Sequence, residues 1–166
     1  RRNLDRGSTH CSQGRSAQVK DVTTLIGEVH AAAAQPKHPV SRLHLRMGTH
    51  DAHYAGNLVD GARLLALFGD AATELLIMQD GDEGLFRAYD RVEFLAPVRA
   101  GDYVTVTAVI TEIGRTSRKM VFVAEKTISA APTTGAPSAC NVVTPAVPVA
   151  YASGTCVVPA ELQRRK

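Results

Sequence analysis

The segment from Leu58 to Gln79 constrains the fold of this chain more than any other. It is rich in alanine and leucine, contains no proline and ends at the turn signal Asp80-Gly81, so it predicts one helix of about twenty residues. Apolar residues occupy nearly all of its faces, so the rest of the chain has to surround it, and we expect a sheet wrapped around the helix. These residues are Leu58, Val59, Ala62, Leu65, Leu67, Phe68, Ala72, Leu75, Leu76 and Met78.

Strand-like segments lie on both sides of this helix. Before it, SRLHLRMGT from Ser41 alternates apolar with other residues, which is typical of a strand with one buried face. After it come four segments rich in Val, Ile, Thr and aromatic residues, and short connections between the first three predict antiparallel neighbours. Residues 130–146 are rich in Pro, Ala and Thr and predict a long, mobile hairpin loop. The four segments are Phe86 to Leu95, Tyr103 to Ile113, Lys119 to Ser129 and Val147 to Val158.

Composition and charge exclude several classes of protein. The 166 residues are 45% hydrophobic and 21% charged, which favours one globular domain. Residues 41–166 hold thirteen basic and thirteen acidic side chains, which argues against a nucleic-acid surface. The longest apolar run is interrupted by Gly69, Asp70 and Glu74, and no signal peptide is evident, so we expect a cytoplasmic protein without a membrane span. The three cysteines lack zinc-ligand spacing and are expected to be reduced.

The head of the chain carries all of the excess charge. Residues 1–40 hold six basic and three acidic side chains, which accounts for the net charge of +3. Residues 1–16 are polar and without periodicity, which predicts a disordered tail. From Ala17 to Ala34 apolar residues recur at helical spacing, and Pro36 and Pro39 follow, so we expect a short accessory helix. The predicted organisation is a tail with this helix at 1–40 and one domain at 41–166.

The stretch GTHDAHYAGNLVDGAR, at residues 48–63, is the candidate site. It places His50 and His53 around Asp51, which are side chains able to move protons, and then Ala55 and Gly56, which let another molecule approach the backbone. An aspartate before a helix is often only a cap, so a purely structural turn is the alternative. The HDxH spacing also occurs in metal sites, but third and fourth ligands are not evident, and we expect no metal.

The element order, together with FLAPVRAGDYVTV at Phe94 to Val106, resembles the hot-dog fold. This α+β fold wraps a curved antiparallel sheet, here of five strands, around one long helix, and the resemblance covers about Ser41 to Pro159. Hot-dog proteins usually pair through their sheets, with sites between subunits at the start of the long helix. The resemblance therefore implies a homodimer or a higher homo-oligomer built from dimers.

Within that fold the chain resembles the 3-aminobutyryl-CoA and β-alanyl-CoA ammonia-lyases. Members of this family reversibly eliminate ammonia from a β-aminoacyl-CoA to give an enoyl-CoA such as crotonyl-CoA, and lysine degradation is the pathway that the family suggests. Coenzyme A belongs to the substrate, and no cofactor is implied. The chain departs from the family in its long head and in Ala55-Gly56-Asn57, where a run of glycines is expected. The resemblance rests on HDAHYAGNLVDGARLLALFGDAATELL, DGDEGLF, YDRVEFLAPVRAGD, TSRKM and ASGTCVVP.

The reaction requires a base for the α proton, and Asp51, His53 and Glu93 are the candidates. A second carboxylate would hold the leaving ammonium group. Asp90 and Glu93 are three apart on a regular strand and face opposite sides, so only one of them can point inward, and Glu93 is preferred. His50 would position Asp51 or contact the nucleotide. Around these catalytic candidates we expect substrate contacts from Tyr54, Ala55, Gly56, Asn57 and Asp60. The backbone N–H groups of Ala55 and Gly56 would stabilise the thioester oxygen. The alternative for Asp60 is a favourable charge at the helix N-terminus without a catalytic role.

The turn around Arg115 contains hydroxyl and basic side chains suited to the phosphates of coenzyme A. The expected coenzyme A-binding residues are Thr116, Ser117, Arg118 and Lys119.

Two other functions fit the same fold. In an acyl-CoA thioesterase, one large branch uses an acidic residue about two turns into the long helix, whereas this chain has Arg63 on the corresponding face. A non-catalytic acyl-thioester-binding module would need only an inert pocket, which the polar residues from His50 to Tyr54 disfavour.

Overall fold

The structure is a computed structural model that describes residues 20–165. The predicted disordered tail at residues 1–16 lies outside the described residues. The helices are α1 (Val22–Ala34) and α2 (Gly61–Asp80), with short 3-10 turns at Thr49–Asp51, Ala55–Asn57 and Ala160–Leu162. The strands are β1 (Val40–Arg46), β2 (Leu85–Phe94), β3 (Tyr103–Ile113), β4 (Ser117–Ala130) and β5 (Cys140–Val157).

The five strands form one antiparallel sheet in the order β1-β3-β4-β5-β2, so β1 and β2 are its edges. Helix α2 packs on one face, which we call the inner face, and the opposite face is the outer face. Phe68 and Leu75 of α2 are completely buried there against residues such as Phe122 of β4. The arrangement confirms the predicted α+β architecture of a sheet around one long helix.

The alternation predicted for the first strand is also present. Leu43, Leu45 and Met47 belong to the core beneath α2, whereas His44 points to the outer face and stacks on Tyr103 at 5.7 Å. Because successive strand residues face opposite sides, the buried apolar series leaves its polar neighbours on the other face. The end of β1 thereby leads into residues 48–60 at one end of the sheet.

Helix α2 begins at Gly61, one turn later than the predicted start at Leu58. The backbone of Leu58 and Val59 is held by the loop after β2, where Val59 N–H donates to the Val98 carbonyl at 2.8 Å. Asp60 then caps the helix, and its Oδ1 accepts from the Ala62 N–H at 2.9 Å. Propensity and hydrophobicity did not reveal this pairing, because Leu58 and Val59 are as apolar as the helix itself.

Helix α1 covers part of the outer face. Ile26, Val29 and Ala33 pack against Val109, Val123 and Tyr151 in a second apolar cluster. The Arg42 side chain donates to the Ala33 carbonyl at 3.0 Å and so satisfies an orphan acceptor at the end of the helix. The helix therefore packs directly on the sheet that carries the site.

The predicted mobile loop at residues 130–146 is wrong in its second half. β5 begins at Cys140, and Asn141 and Val142 pair with Ser129 and Ile128 of β4. Only residues 131–139 connect the two strands, because Cys140, Asn141 and Val142 already pair with β4, and the pairing resumes at Val147 after an irregularity. Among residues 20–165, neither long helix combines the length and apolar character needed to cross a bilayer.

Candidate active site

Asp51 occupies the buried centre of the turn between β1 and α2. Its side chain is 7% exposed, and Oδ2 accepts from the Gly48 N–H at 2.8 Å. Oδ1 lies 2.9 Å from Nε of Arg63. The two side chains form an ion pair, but the geometry at Nε is not that of a hydrogen bond. The exposed His50 ring is farther away, with Nε2 3.5 Å from Oδ1. Both carboxylate oxygens of Asp51 are thus engaged in holding the turn to the helix.

His53 and Asp60 form a second and more accessible pair. Nδ1 of His53 lies 3.5 Å from Oδ2 of Asp60, and their side chains are 65% and 29% exposed. The other oxygen of Asp60 caps α2 through the Ala62 N–H. The helix start thus fixes the Asp60 carboxylate, which in turn lies beside the His53 imidazole.

An apolar cavity of about 620 Å³ opens at the start of α2, and Asp60 is the only charged residue in its lining. Phe94, whose ring is directed over Gly61, closes one side: a Cβ on Gly61 would lie 2.8 Å from Phe94 Cζ. Tyr54 also lines the cavity and is 58% exposed. The remaining lining residues are Leu58, Val59, Ala62, Leu64, Leu65, Leu95, Ala96, Pro97 and Val98.

The sequence suggested that Ala55 and Gly56 lie at the N-terminus of the helix, but the structure does not place them there. Together with Asn57 they form an exposed turn six residues before α2, in which Gly56 and Asn57 have φ of 71° and 56°. At the true start of α2, the Ala62 and Arg63 N–H groups donate to Asp60. Among the described hydrogen bonds this leaves the Gly61 N–H unpaired, at the wall of the cavity and at the positive end of the helix dipole.

Glu93 faces away from the cavity, which corrects its expected place in the site. It lies opposite Tyr151 on β5, and opposed residues share a face, so Glu93 lies on the outer face where Tyr151 packs beneath α1. Its carboxylate pairs with Arg91, whose guanidinium also donates to the Lys20 carbonyl before α1. β2 has a bulge at Asp90, and Phe94 faces inward. Its neighbour Glu93 therefore faces outward, whereas the sequence predicted that Glu93 points inward.

The expected coenzyme A site at residues 116–119 also needs correction. The Arg118 side chain is buried and donates through Nε to Oδ2 of Asp80 at 2.9 Å, so its guanidinium serves the end of α2. Lys119 is exposed but pairs with Glu112 at 2.7 Å, which raises the pKa of the lysine. Thr116 and Ser117 remain in the turn beside Arg115, which is exposed and forms no ion pair with any residue that the structure describes.

Tyr89 supports the cavity wall from the sheet. Its hydroxyl donates to the Leu65 carbonyl at 3.3 Å, and burial raises the pKa of the phenol, so the group stays a donor at neutral pH. Within residues 20–165 no group of three His, Cys, Asp or Glu side chains is arranged to hold a metal ion.

Sequence reasoning missed Arg63, Gly61 and Phe94 as parts of the site. The available signal for Arg63 is that it is the one basic residue of α2, in the first turn of the helix and twelve residues after Asp51. Gly61 follows the cap residue Asp60, and Phe94 ends an edge strand. Their role depends on their contact with each other across the fold, which no local sequence pattern indicates.

Comparison with known proteins supports the resemblance found in the sequence. The sequence profile of the thioesterase superfamily matches residues 56–125. A 3-aminobutyryl-CoA ammonia lyase from Acetoanaerobium sticklandii is 63% identical over 126 residues, which cover 75% of this chain and 98% of that protein. This chain belongs to the 3-aminobutyryl-CoA and β-alanyl-CoA ammonia-lyase family.

Solved structures support the same family and show how far the fold extends beyond it. The β-alanyl-CoA:ammonia lyase from Clostridium propionicum has 35% sequence identity and a TM-score of 0.73, with 77% of this chain and 90% of that chain covered. An acyl-CoA hydrolase from Staphylococcus aureus, in complex with butyryl coenzyme A, coenzyme A and coenzyme A disulfide, has 16% identity and a TM-score of 0.58, covering 76% and 67%. The second similarity concerns the fold alone.

Proposed function

We propose that this ammonia-lyase family member catalyses the reversible elimination of ammonia from 3-aminobutyryl-CoA, or from a similar β-aminoacyl-CoA, to give crotonyl-CoA or the corresponding enoyl-CoA. The observation that carries the assignment of the site is the single carboxylate of Asp60 at the edge of an apolar cavity, between His53 and the free Gly61 N–H. Coenzyme A is part of the substrate.

Each of these groups suits one task of the reaction. The Gly61 N–H donates to the thioester oxygen, where charge develops as the α C–H bond breaks. The Asp60 carboxylate attracts the β-ammonium group and orients its C–N bond. His53, whose imidazole lies beside the Asp60 carboxylate, takes the α proton.

The bonds and protons of the proposed elimination balance. The α C–H electron pair becomes the new C=C bond, and the electrons of the C–N bond leave with ammonia. The proton from the α carbon resides on His53 and then passes to the released ammonia or to water. In the addition direction the same steps run in reverse, and no oxidant, reductant or metal takes part.

The cavity also supports a short, apolar substituent at the β carbon. Leu58, Leu64 and Val98 line its wall, which favours a methyl group such as that of 3-aminobutyryl-CoA over an unsubstituted β-alanyl group. This preference agrees with the activity named for the relative with 63% identity.

We also propose that the chain forms a homo-oligomer through the β2 edge. β2 is an unpaired edge strand, and its exposed apolar residues, Leu85 at 71% and Phe94 at 56%, would be covered by a second sheet. Size-exclusion chromatography with light scattering tests this: a monomer at micromolar concentration would contradict it.

The activity is tested by incubating the protein with crotonyl-CoA and ammonium and following loss of the enoyl thioester absorbance. A β-amino adduct identified by mass spectrometry is the expected product. A parallel incubation with acyl-CoA and a thiol reagent detects free coenzyme A. If free coenzyme A is released there and no β-amino adduct forms from crotonyl-CoA, the protein is a thioesterase instead. Neither product, with coenzyme A still bound, would indicate a binding module.

A further inference from the structure

A second cavity lies beside the proposed active site. Its volume is about 480 Å³, and it is bounded by the end of β1, the turn at residues 48–50, Gly101 and the connection at residues 131–139. Its wall is more polar than that of the first cavity and includes Thr49 and Ser138. Two prolines of the connection, Pro132 and Pro137, add flat apolar surface.

The basic side chains lining this second cavity are those of Arg46 and His50, and none of its lining residues is acidic. Arg46 is exposed and forms no ion pair with any residue that the structure describes. His50 is 84% exposed, and the nearest carboxylate, that of Asp51 at 3.5 Å, already faces Arg63. A guanidinium in this setting is suited to a phosphate group, which it can bind with two parallel hydrogen bonds.

One short loop separates the two cavities. Tyr54 and Leu58 line the apolar cavity, whereas Asn57, between them in the chain, lines the polar one. The exposed Gly56 has no neighbouring atom within 4 Å of a Cβ position, so the loop surface there is open. An extended ligand can therefore cross Gly56 and place one end in each cavity.

We propose that the polar cavity binds the phosphorylated nucleotide end of the coenzyme A thioester, with Arg46 as the phosphate ligand. This inference rests on the proposed function, because it assumes that the acyl end occupies the apolar cavity. The pantetheine arm, which is flexible and contains amides, lies over Gly56 and Asn57. At the turn of residues 116–119, Arg118 and Lys119 are already paired with Asp80 and Glu112, and the unpaired cation there is the neighbouring Arg115, which is not among the residues lining either cavity.

The test compares two substrates that share the reacting group. Crotonyl-CoA carries the nucleotide and its phosphates, whereas the crotonyl thioester of pantetheine lacks them. We expect Arg46→Gln to raise KM for crotonyl-CoA about tenfold, as expected for one charge-assisted contact, and to leave KM for crotonyl-pantetheine unchanged. Lys37→Gln, which removes an exposed cation from the connection between α1 and β1, is the control and should change neither value.

Three results would overturn the proposal. Equal increases in KM for both substrates in Arg46→Gln would mean that Arg46 does not read the nucleotide. An increase specific to crotonyl-CoA in Lys119→Gln, but not in Arg46→Gln, would place the phosphates at the turn. Calorimetry with coenzyme A alone separates this inference from the proposed function: a Kd weakened in Arg46→Gln supports the site even if wild type adds no ammonia, and an unchanged Kd refutes it.

Discussion

The guanidinium of Arg63 lies beside the buried Asp51 carboxylate, with Nε 2.9 Å from Oδ1. Because the other Asp51 oxygen accepts from the Gly48 N–H, this one carboxylate ties the turn after β1 to the first turn of α2. The contact fixes the position of the segment that carries His53 and Asp60. It also leaves Asp51 poorly placed to exchange protons with a ligand in the apolar cavity.

Asp51→Asn should therefore affect stability. It leaves Arg63 without its counter-charge, and we expect a loss of about 2 kcal/mol in the free energy of unfolding, discounted because Arg63 is partly exposed. Urea unfolding of Asp51→Asn, Arg63→Gln and the double variant measures the coupling. The double variant should lose less than the sum of the single losses; strictly additive losses would show that the ion pair contributes nothing.

Gly61→Ala should change the cavity without weakening the fold. The new Cβ would lie 2.8 Å from Phe94 Cζ, so the exposed ring has to move across the cavity mouth. We expect kcat/KM to fall about tenfold, while the free energy of unfolding changes by less than about 1 kcal/mol because alanine favours a helix. Adding Phe94→Leu should restore most of the activity. Failure of this second substitution to restore it would argue against a clash with Phe94.

The residues of the site show what a sequence can and cannot specify. The long helix follows from its composition, and the inner face of β1 follows from the alternation of Leu43, Leu45 and Met47. The direction of Glu93 does not, because a bulge in β2 and the packing of Tyr151 beneath α1 decide which side it faces. Likewise, nothing in the TSRKM segment indicates that Arg118 pairs with Asp80, 38 residues earlier.

The contact between α1 and the sheet should contribute measurably to stability. Val29 is 1% exposed between the helix and the outer face, so Val29→Ala should lower the free energy of unfolding by about 2 kcal/mol. Thr24→Ala, on the exposed side of the same helix, is the control. Denaturant unfolding of both variants makes the comparison. Equal stability of the two would mean that α1 does not pack as described.

Alkaline pH should destabilise the fold through buried acidic groups. Burial raises the pKa of the Cys156 thiol from 9.0 to about 11, and it also raises the pKa values of Tyr89 and Tyr151. The unfolded chain therefore releases these protons first, so stability is intact below pH 9 and declines as pH rises toward 11. Unfolding at several pH values should show this decline, and it should be shallower in Cys156→Ala. The same slope in both proteins would exclude Cys156 as a contributor.

The most direct test of the account is kcat/KM for ammonia addition to crotonyl-CoA in three carboxylate variants. Asn caps a helix about as well as Asp, so Asp60→Asn removes the charge while keeping the start of α2. We predict that Asp60→Asn lowers kcat/KM at least about a hundredfold, the usual scale for a lost acid–base or charge-orienting group, whereas Glu93→Gln and folded Asp51→Asn stay within about tenfold of wild type. Wild-type kcat/KM in Asp60→Asn, with a hundredfold loss in Glu93→Gln or Asp51→Asn, would contradict the account.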